Sequence, residues 1–130
     1  MSAGIPPDIE ERLVDERLVA HLATCRDGRP HVAPLWFRYD DGVVEIMTTG
    51  RKLENVRNNP RVALSVQEDE GGLPRWTVTL RGTATIVEDE DAAREANRRL
   101  NRKYGVEEDA WSGNELVRIH VGSATHRTYE

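Results

Sequence analysis

The residues best able to do chemistry concentrate in one stretch, Thr48-Thr49-Gly50-Arg51-Lys52, where two hydroxyls and two cations flank a glycine. A strand ends there and a short helix begins, and Asn58-Asn59-Pro60 stops that helix before the next apolar run. Backbone N–H groups at a helix mouth have no intrahelical partner, and the helix dipole adds positive potential. Hydroxyl and cationic side chains beside them make an anion site, suited to a phosphate. Charge agrees: Arg51, Lys52, Arg57 and Arg61 face only Glu54, in a chain of formal net charge −5.

Other chemistries lack their residues. His21, His31, His120 and His126 show no HExxH spacing and Cys25 is the single cysteine, so no metal site is expected. No serine lies in a G-x-S-x-G context, and there is neither a P-loop nor a dinucleotide fingerprint. The carboxylates from Glu88 to Asp91 read as a dipole-favoured helix start rather than an acid/base pair, and no catalytic residue is assigned. A pI near 5.4 argues against a nucleic-acid surface. With 32% charged residues, mean hydropathy −0.64 and no apolar window of membrane length, no membrane span is expected. The stretch Met1-Ser2-Ala3-Gly4-Ile5-Pro6-Pro7 lacks the basic and apolar regions of a signal peptide, and a lone cysteine forms no internal disulfide. Both point to the cytoplasm.

The elements that must position the anion site read as follows. Residues 6–17 carry Ile9, Leu13 and Val14 at helical spacing, with Asp8 as the expected cap. Residues 18–25 and 30–39 form strands about an Asp27-Gly28 turn, and after Asp40-Asp41-Gly42 a third strand spans 43–49, which predicts a three-stranded meander. Beyond the helix at 51–58 come a strand at 61–67, a polar turn at 68–74 and a long strand at 75–88 in which Trp76, Val78 and Leu80 share a face and Gly82 marks a bend. Residues 89–104 carry Ala92, Ala93, Ala96, Leu100 and Tyr104 at helical spacing; 115–121 and 124–129 give a last strand and a short tail. One hundred and thirty residues make one domain, 1–130, mainly β (α+β): a small antiparallel barrel with peripheral helices.

With Met47-Thr48-Thr49-Gly50-Arg51-Lys52, Asn58-Asn59-Pro60-Arg61-Val62-Ala63-Leu64 and Asp27-Gly28-Arg29-Pro30-His31-Val32-Ala33-Pro34-Leu35-Trp36-Phe37 in that spacing, the chain resembles the pyridoxamine 5′-phosphate oxidase-like split β-barrels, especially their small deazaflavin-dependent branch. The resemblance implies a split antiparallel barrel that binds FMN or coenzyme F420, with F420 favoured. It implies Arg51 and Lys52 on the phosphate, Val32, Pro34, Leu35, Trp36 and Phe37 along the ring system, and a homodimer whose sites lie at the subunit interface. Thr48 and Thr49 are expected to add hydroxyl donors and Trp76 to wall the pocket with Trp36; Trp111, Arg127 and Tyr129 are candidates to act across the interface. The expected activity is reduction of a small organic substrate by a ring-based hydride or electron carrier. A non-catalytic flavin, deazaflavin or haem carrier is the alternative.

Overall fold

A computed structural model describes residues 4–129; Met1, Ser2 and Ala3 of the stretch read for a leader lie outside the described residues. Seven antiparallel strands, β1 (Ala20–Arg26), β2 (Arg29–Leu35), β3 (Arg38–Asp40), β4 (Val43–Thr48), β5 (Arg61–Glu70), β6 (Leu73–Val87) and β7 (Glu115–Thr128), share one sheet in the order β2-β1-β5-β6-β7-β4-β3. Three helices flank them: α1 (Pro7–Asp15), α2 (Gly50–Asn58) and α3 (Glu90–Lys103).

The hairpin turns follow their residues. Asp27 and Gly28 sit at φ 52° and 74°, and Asp41 and Gly42 at 45° and 82°, so each two-residue loop turns the way its right-twisted strands require. The expected meander is not formed. The chain leaves β2 at Leu35, and β3 pairs only with β4, at the far end of the sheet from β2. The 30–39 run is two strands because Trp36 and Phe37 break it, and β4 takes β7 as its other neighbour, Val44 opposite Ile119 and Ile46 opposite Val117. The two sheet edges nevertheless approach each other: Leu35 at the end of β2 and Met47 near the end of β4 line the same cavity. An antiparallel barrel split along one seam results.

Long strands close such a barrel by bending. In β6 the register shifts between Arg81 and Gly82, and a Cβ on Gly82 would lie 2.3 Å from the His120 carbonyl oxygen, so only glycine allows β7 to approach there. The strand pair β5–β6 runs further than its polar sequence suggests, through Glu70 and Leu73 to a two-residue Gly71-Gly72 turn. Likewise 115–128 is one strand, not a strand and a tail.

The helices are amphipathic lids. Pro7 starts α1, where its missing N–H is not needed, and neither Asp8 nor another side chain caps the helix. Ile9 and Leu13 are buried while Val14 is 46% exposed, because the fifth residue along falls about 140° around from the first. Asp89 caps α3 by accepting from the N–H groups of Asp91 and Ala92. The core beneath holds Leu22, Phe37, Tyr39, Ile46, Leu64 and Leu80, each at most 2% exposed.

Candidate functional site

Two cavities meet the ends of β2. At its beginning a space of about 420 Å³ is lined by Arg26, Asp27, Arg29, His31, Arg51 and Asn55. Helix α2 supplies Arg51 because it is pinned to β1: the buried Asn55 side-chain amide donates to the Thr24 hydroxyl at 3.0 Å, and Leu53 and Val56 bury beside it. Thr49 is the N-cap residue but makes no side-chain cap bond, and the first turn holds no acidic residue. The first-turn N–H groups therefore stay available to an anion.

Four cations stand around this helix mouth, and three of them have no counter-ion among the described residues. Arg26 and Arg29 are register partners across the β1–β2 hairpin, so two like charges sit opposite each other. Arg26 has Glu54 at 3.7 Å and Asp27 at 3.9 Å, but Arg29, Arg51 and Lys52 have no ion-pair partner among the described residues. His31 Nδ1 is buried and has no hydrogen-bond partner. A buried, unpartnered ring nitrogen is costly, and an anion or its bridging water in this cavity would relieve it. The donor set fits a phosphate.

At the other end of β2 a cavity of about 370 Å³ is lined by Pro34, Leu35, Trp36, Met47, Leu100 and Trp111, with Asn97, Asn101 and Asn114 as its polar members. Trp36 is held by its neighbours. Its ring stacks on Tyr104 at 4.6 Å and 7°, and meets Trp111 edge-on at 5.6 Å and 84°. The Tyr104 hydroxyl lies 2.5 Å from the Leu18 carbonyl oxygen and accepts from the Phe37 N–H at 3.3 Å, while Lys103 Nζ donates to the Leu13 and Phe37 carbonyls at 3.0 Å each. Burial, then the Arg38 charge, lowers the Lys103 pKa to about 8; burial raises that of Tyr104. The end of α3 thus staples the β2–β3 break to α1.

Trp111 is placed by α3 as well. Asn101 donates its amide N–H groups to the Glu108 and Ala110 carbonyls at 2.9 Å, and Asn97 donates to Ala110 at 2.9 Å. The loop they hold presents Trp111 in the left-handed region, φ 52°, with 58% of its surface exposed.

Of the residues singled out in the sequence, Arg51 joins the cationic cavity and Pro34, Leu35 and Trp36 the aromatic one. Lys52 is half-buried on the first turn of α2, Thr49 is exposed beside it, and Val32 is 64% exposed on β2 between the cavities. Thr48 is buried, its hydroxyl 3.5 Å from the Thr49 carbonyl. Two placements differ from expectation. Phe37 turns into the core at 0% exposed and Lys103 and Tyr104 occupy its backbone groups, so it offers nothing to a ring. Trp76 is 4% exposed and donates its indole N–H to Glu68 at 2.7 Å, which makes it a core residue rather than a pocket wall. Trp111 faces Trp36 of its own chain, and Arg127 stacks over Tyr129 at 5.0 Å near the end of β7, outside both cavities. Sequence reading missed Arg29 and His31, although arginines on both sides of a two-residue turn were a visible signal. It also missed Asn97 and Asn101, two amides one helical turn apart in a stripe otherwise apolar.

Comparison with known proteins gives this arrangement its class. The profile of the pyridoxamine 5′-phosphate oxidase family matches residues 5–126, and the chain belongs to that family of flavin- and deazaflavin-binding split barrels. It is 35% identical over 94 residues to an F420H(2)-dependent biliverdin reductase of Mycobacterium tuberculosis, a match that spans 70% of this chain and 66% of that protein. Among solved structures, one described as an F420 reductase is 30% identical with TM-score 0.72, covering 88% of this chain and 94% of its own. A FAD-binding protein from Mesorhizobium loti superposes with TM-score 0.77 at 24% identity, over 97% and 96% of the two chains. No helix among the described residues is long and apolar enough to cross a membrane, and no cluster of three or more metal-ligating side chains occurs among them.

Proposed function

We propose that the protein is an F420-dependent oxidoreductase that reduces a small organic substrate, with FMN as the other cofactor its anion site fits. The observation that carries this reading is the cationic cavity at the uncapped mouth of α2, where Arg51 and Arg29 lack counter-ions and His31 Nδ1 lacks a partner. Similarity to an F420H(2)-dependent biliverdin reductase, at 35% identity, and to a structure described as an F420 reductase, at 30%, favours the deazaflavin. Arg51, Lys52 and Arg29 would hold the phosphate with the first-turn N–H groups, and Val32 to Leu35 would lie along the ring. When bound, the cofactor supplies hydride or electron transfer. The chain's part is to anchor, orient and keep one face open.

We propose further that the working unit is a homodimer with sites completed at the interface. Strand β2 is a sheet edge and Val32 on it is exposed, a surface that a second copy would cover. A carrier without turnover is the second reading, favoured by the absence of any acidic, histidine or lysine side chain from the aromatic cavity. Titration of the purified protein with F420 and, separately, FMN, followed by fluorescence quenching, tests the assignment. Tighter binding of F420 is expected. Binding of neither would overturn it, and F420 binding without oxidation of the reduced cofactor by any acceptor would select the carrier.

A further inference from the structure

The aromatic cavity has a chemistry unlike that of the anion site. Trp36 and Trp111 stand nearly perpendicular, at 84°, and form a corner of two flat walls. Tyr104 covers one face of Trp36, while Trp111 keeps more than half its surface open. Leu100 and Met47 supply the aliphatic remainder, and no charged side chain lines the space. Its polar members are amides. Asn101 directs both of its N–H groups at backbone carbonyls, so the group it has left is Oδ1, an acceptor with no protein partner; Asn97 donates one N–H to Ala110 and keeps its Oδ1 and its second N–H.

From this corner and these amides we infer that the cavity is the substrate subsite, and that it takes a flat, conjugated, uncharged ring carrying an N–H or O–H donor. The substrate role rests on the oxidoreductase reading; the ligand chemistry rests on the cavity alone. A flat ring stacks on one indole and meets the other edge-on, both favoured aromatic geometries, in a volume suited to one or two fused rings. A donor on that ring meets the asparagine oxygens. An anionic ring would be desolvated beside acceptors with no cation in reach. Selection is therefore for neutral donors and against carboxylates.

Naphthalene-1-carboxamide and naphthalene-1-carboxylate share a shape and differ in charge and donor, which makes them the probes. The chain has three tryptophans, so ¹⁵N spectra resolve three indole N–H signals, and Trp76, tied to Glu68 in the core, is the internal control. The carboxamide is expected to shift the Trp36 and Trp111 signals, leave Trp76 unmoved, and bind at least tenfold more tightly than the carboxylate. Saturation with F420 should leave that affinity unchanged or raise it. Trp111→Leu should weaken the carboxamide about tenfold with the Trp76 signal in place, since leucine keeps apolar bulk but removes the flat wall.

Competition between F420 and the carboxamide would show that the cavity seats the cofactor ring itself and would overturn the inference. Equal or tighter binding of the carboxylate, or unmoved Trp36 and Trp111 signals, would overturn it too. If F420 binds and the carboxamide does not, this inference fails alone. If the carboxamide responds as expected and neither F420 nor FMN binds, the oxidoreductase reading falls and the substrate role with it.

Discussion

The two ends of β2 were built by different means. The cationic cavity draws on two short segments, 26–31 and 51–55, each a local motif: a tight turn between arginines, and a helix mouth after a glycine. The aromatic cavity draws on β2, β4, α3 and the loop after it, four segments spread along the chain from Pro34 to Asn114. One cavity is set mainly by Arg29 and Arg51, which have no ion-pair partner among the described residues; the other by side chains whose positions other residues fix. A cationic cavity is therefore legible from residue types, whereas an apolar one is legible only once its supports are known.

The largest expected effect separates the two directly. Arg51→Ala with Lys52→Ala removes two charge-assisted contacts, each worth ~1.5–3 kcal/mol, so F420 affinity should fall roughly 100-fold or more. Circular dichroism and carboxamide binding should not change. Unaltered F420 affinity would remove the phosphate from α2.

Asn55→Ala is expected to cost about 1–3 kcal/mol in a urea melt, because it leaves the buried Thr24 hydroxyl unpaired and frees α2 from β1. It should weaken cofactor binding as well, by letting the helix mouth move, while the aromatic corner stays intact. Loss of stability with unchanged affinity would show that Arg51 does not depend on this docking. The matching test at the other cavity is Asn101→Ala, which unties the Glu108 and Ala110 carbonyls. Roughly 1 kcal/mol of stability should go, and the Trp111 indole signal should broaden while Trp36 stays sharp. A sharp Trp111 signal would mean that Asn97 and the Arg98–Asp109 and Arg102–Glu108 ion pairs suffice to hold the loop.

These supports explain what the sequence disclosed. Strand and helix positions followed from Asp27-Gly28, Asp41-Gly42 and Asn59-Pro60, because turn chemistry is local. The helix mouth beside the cationic cavity followed from Thr49-Gly50-Arg51-Lys52 for the same reason. The break at Trp36-Phe37 did not, since what ends β2 is a set of bonds from Lys103 and Tyr104, more than sixty positions away. Trp76 misled because a large aromatic on a strand fits a pocket wall and a core equally well by sequence, and its partner Glu68 lay in what read as a turn.

Lys103 offers the smallest and most specific effect. Its folded pKa, about 8, lies below the ordinary 10.5, so between those values the unfolded chain holds a proton that the folded chain has released. Raising pH across that window therefore favours the folded state through this group. Tyr104 acts in the opposite sense at higher pH: its raised pKa means that the folded chain keeps a proton the unfolded one loses, and stability falls there. Comparison with Lys103→Met isolates the lysine. Between pH 8 and 10 the wild-type urea midpoint should rise relative to that of the variant, while the variant loses the two carbonyl bonds at every pH. Parallel pH profiles would mean that Lys103 keeps its ordinary pKa in the folded chain and donates to the Leu13 and Phe37 carbonyls as a charged ammonium.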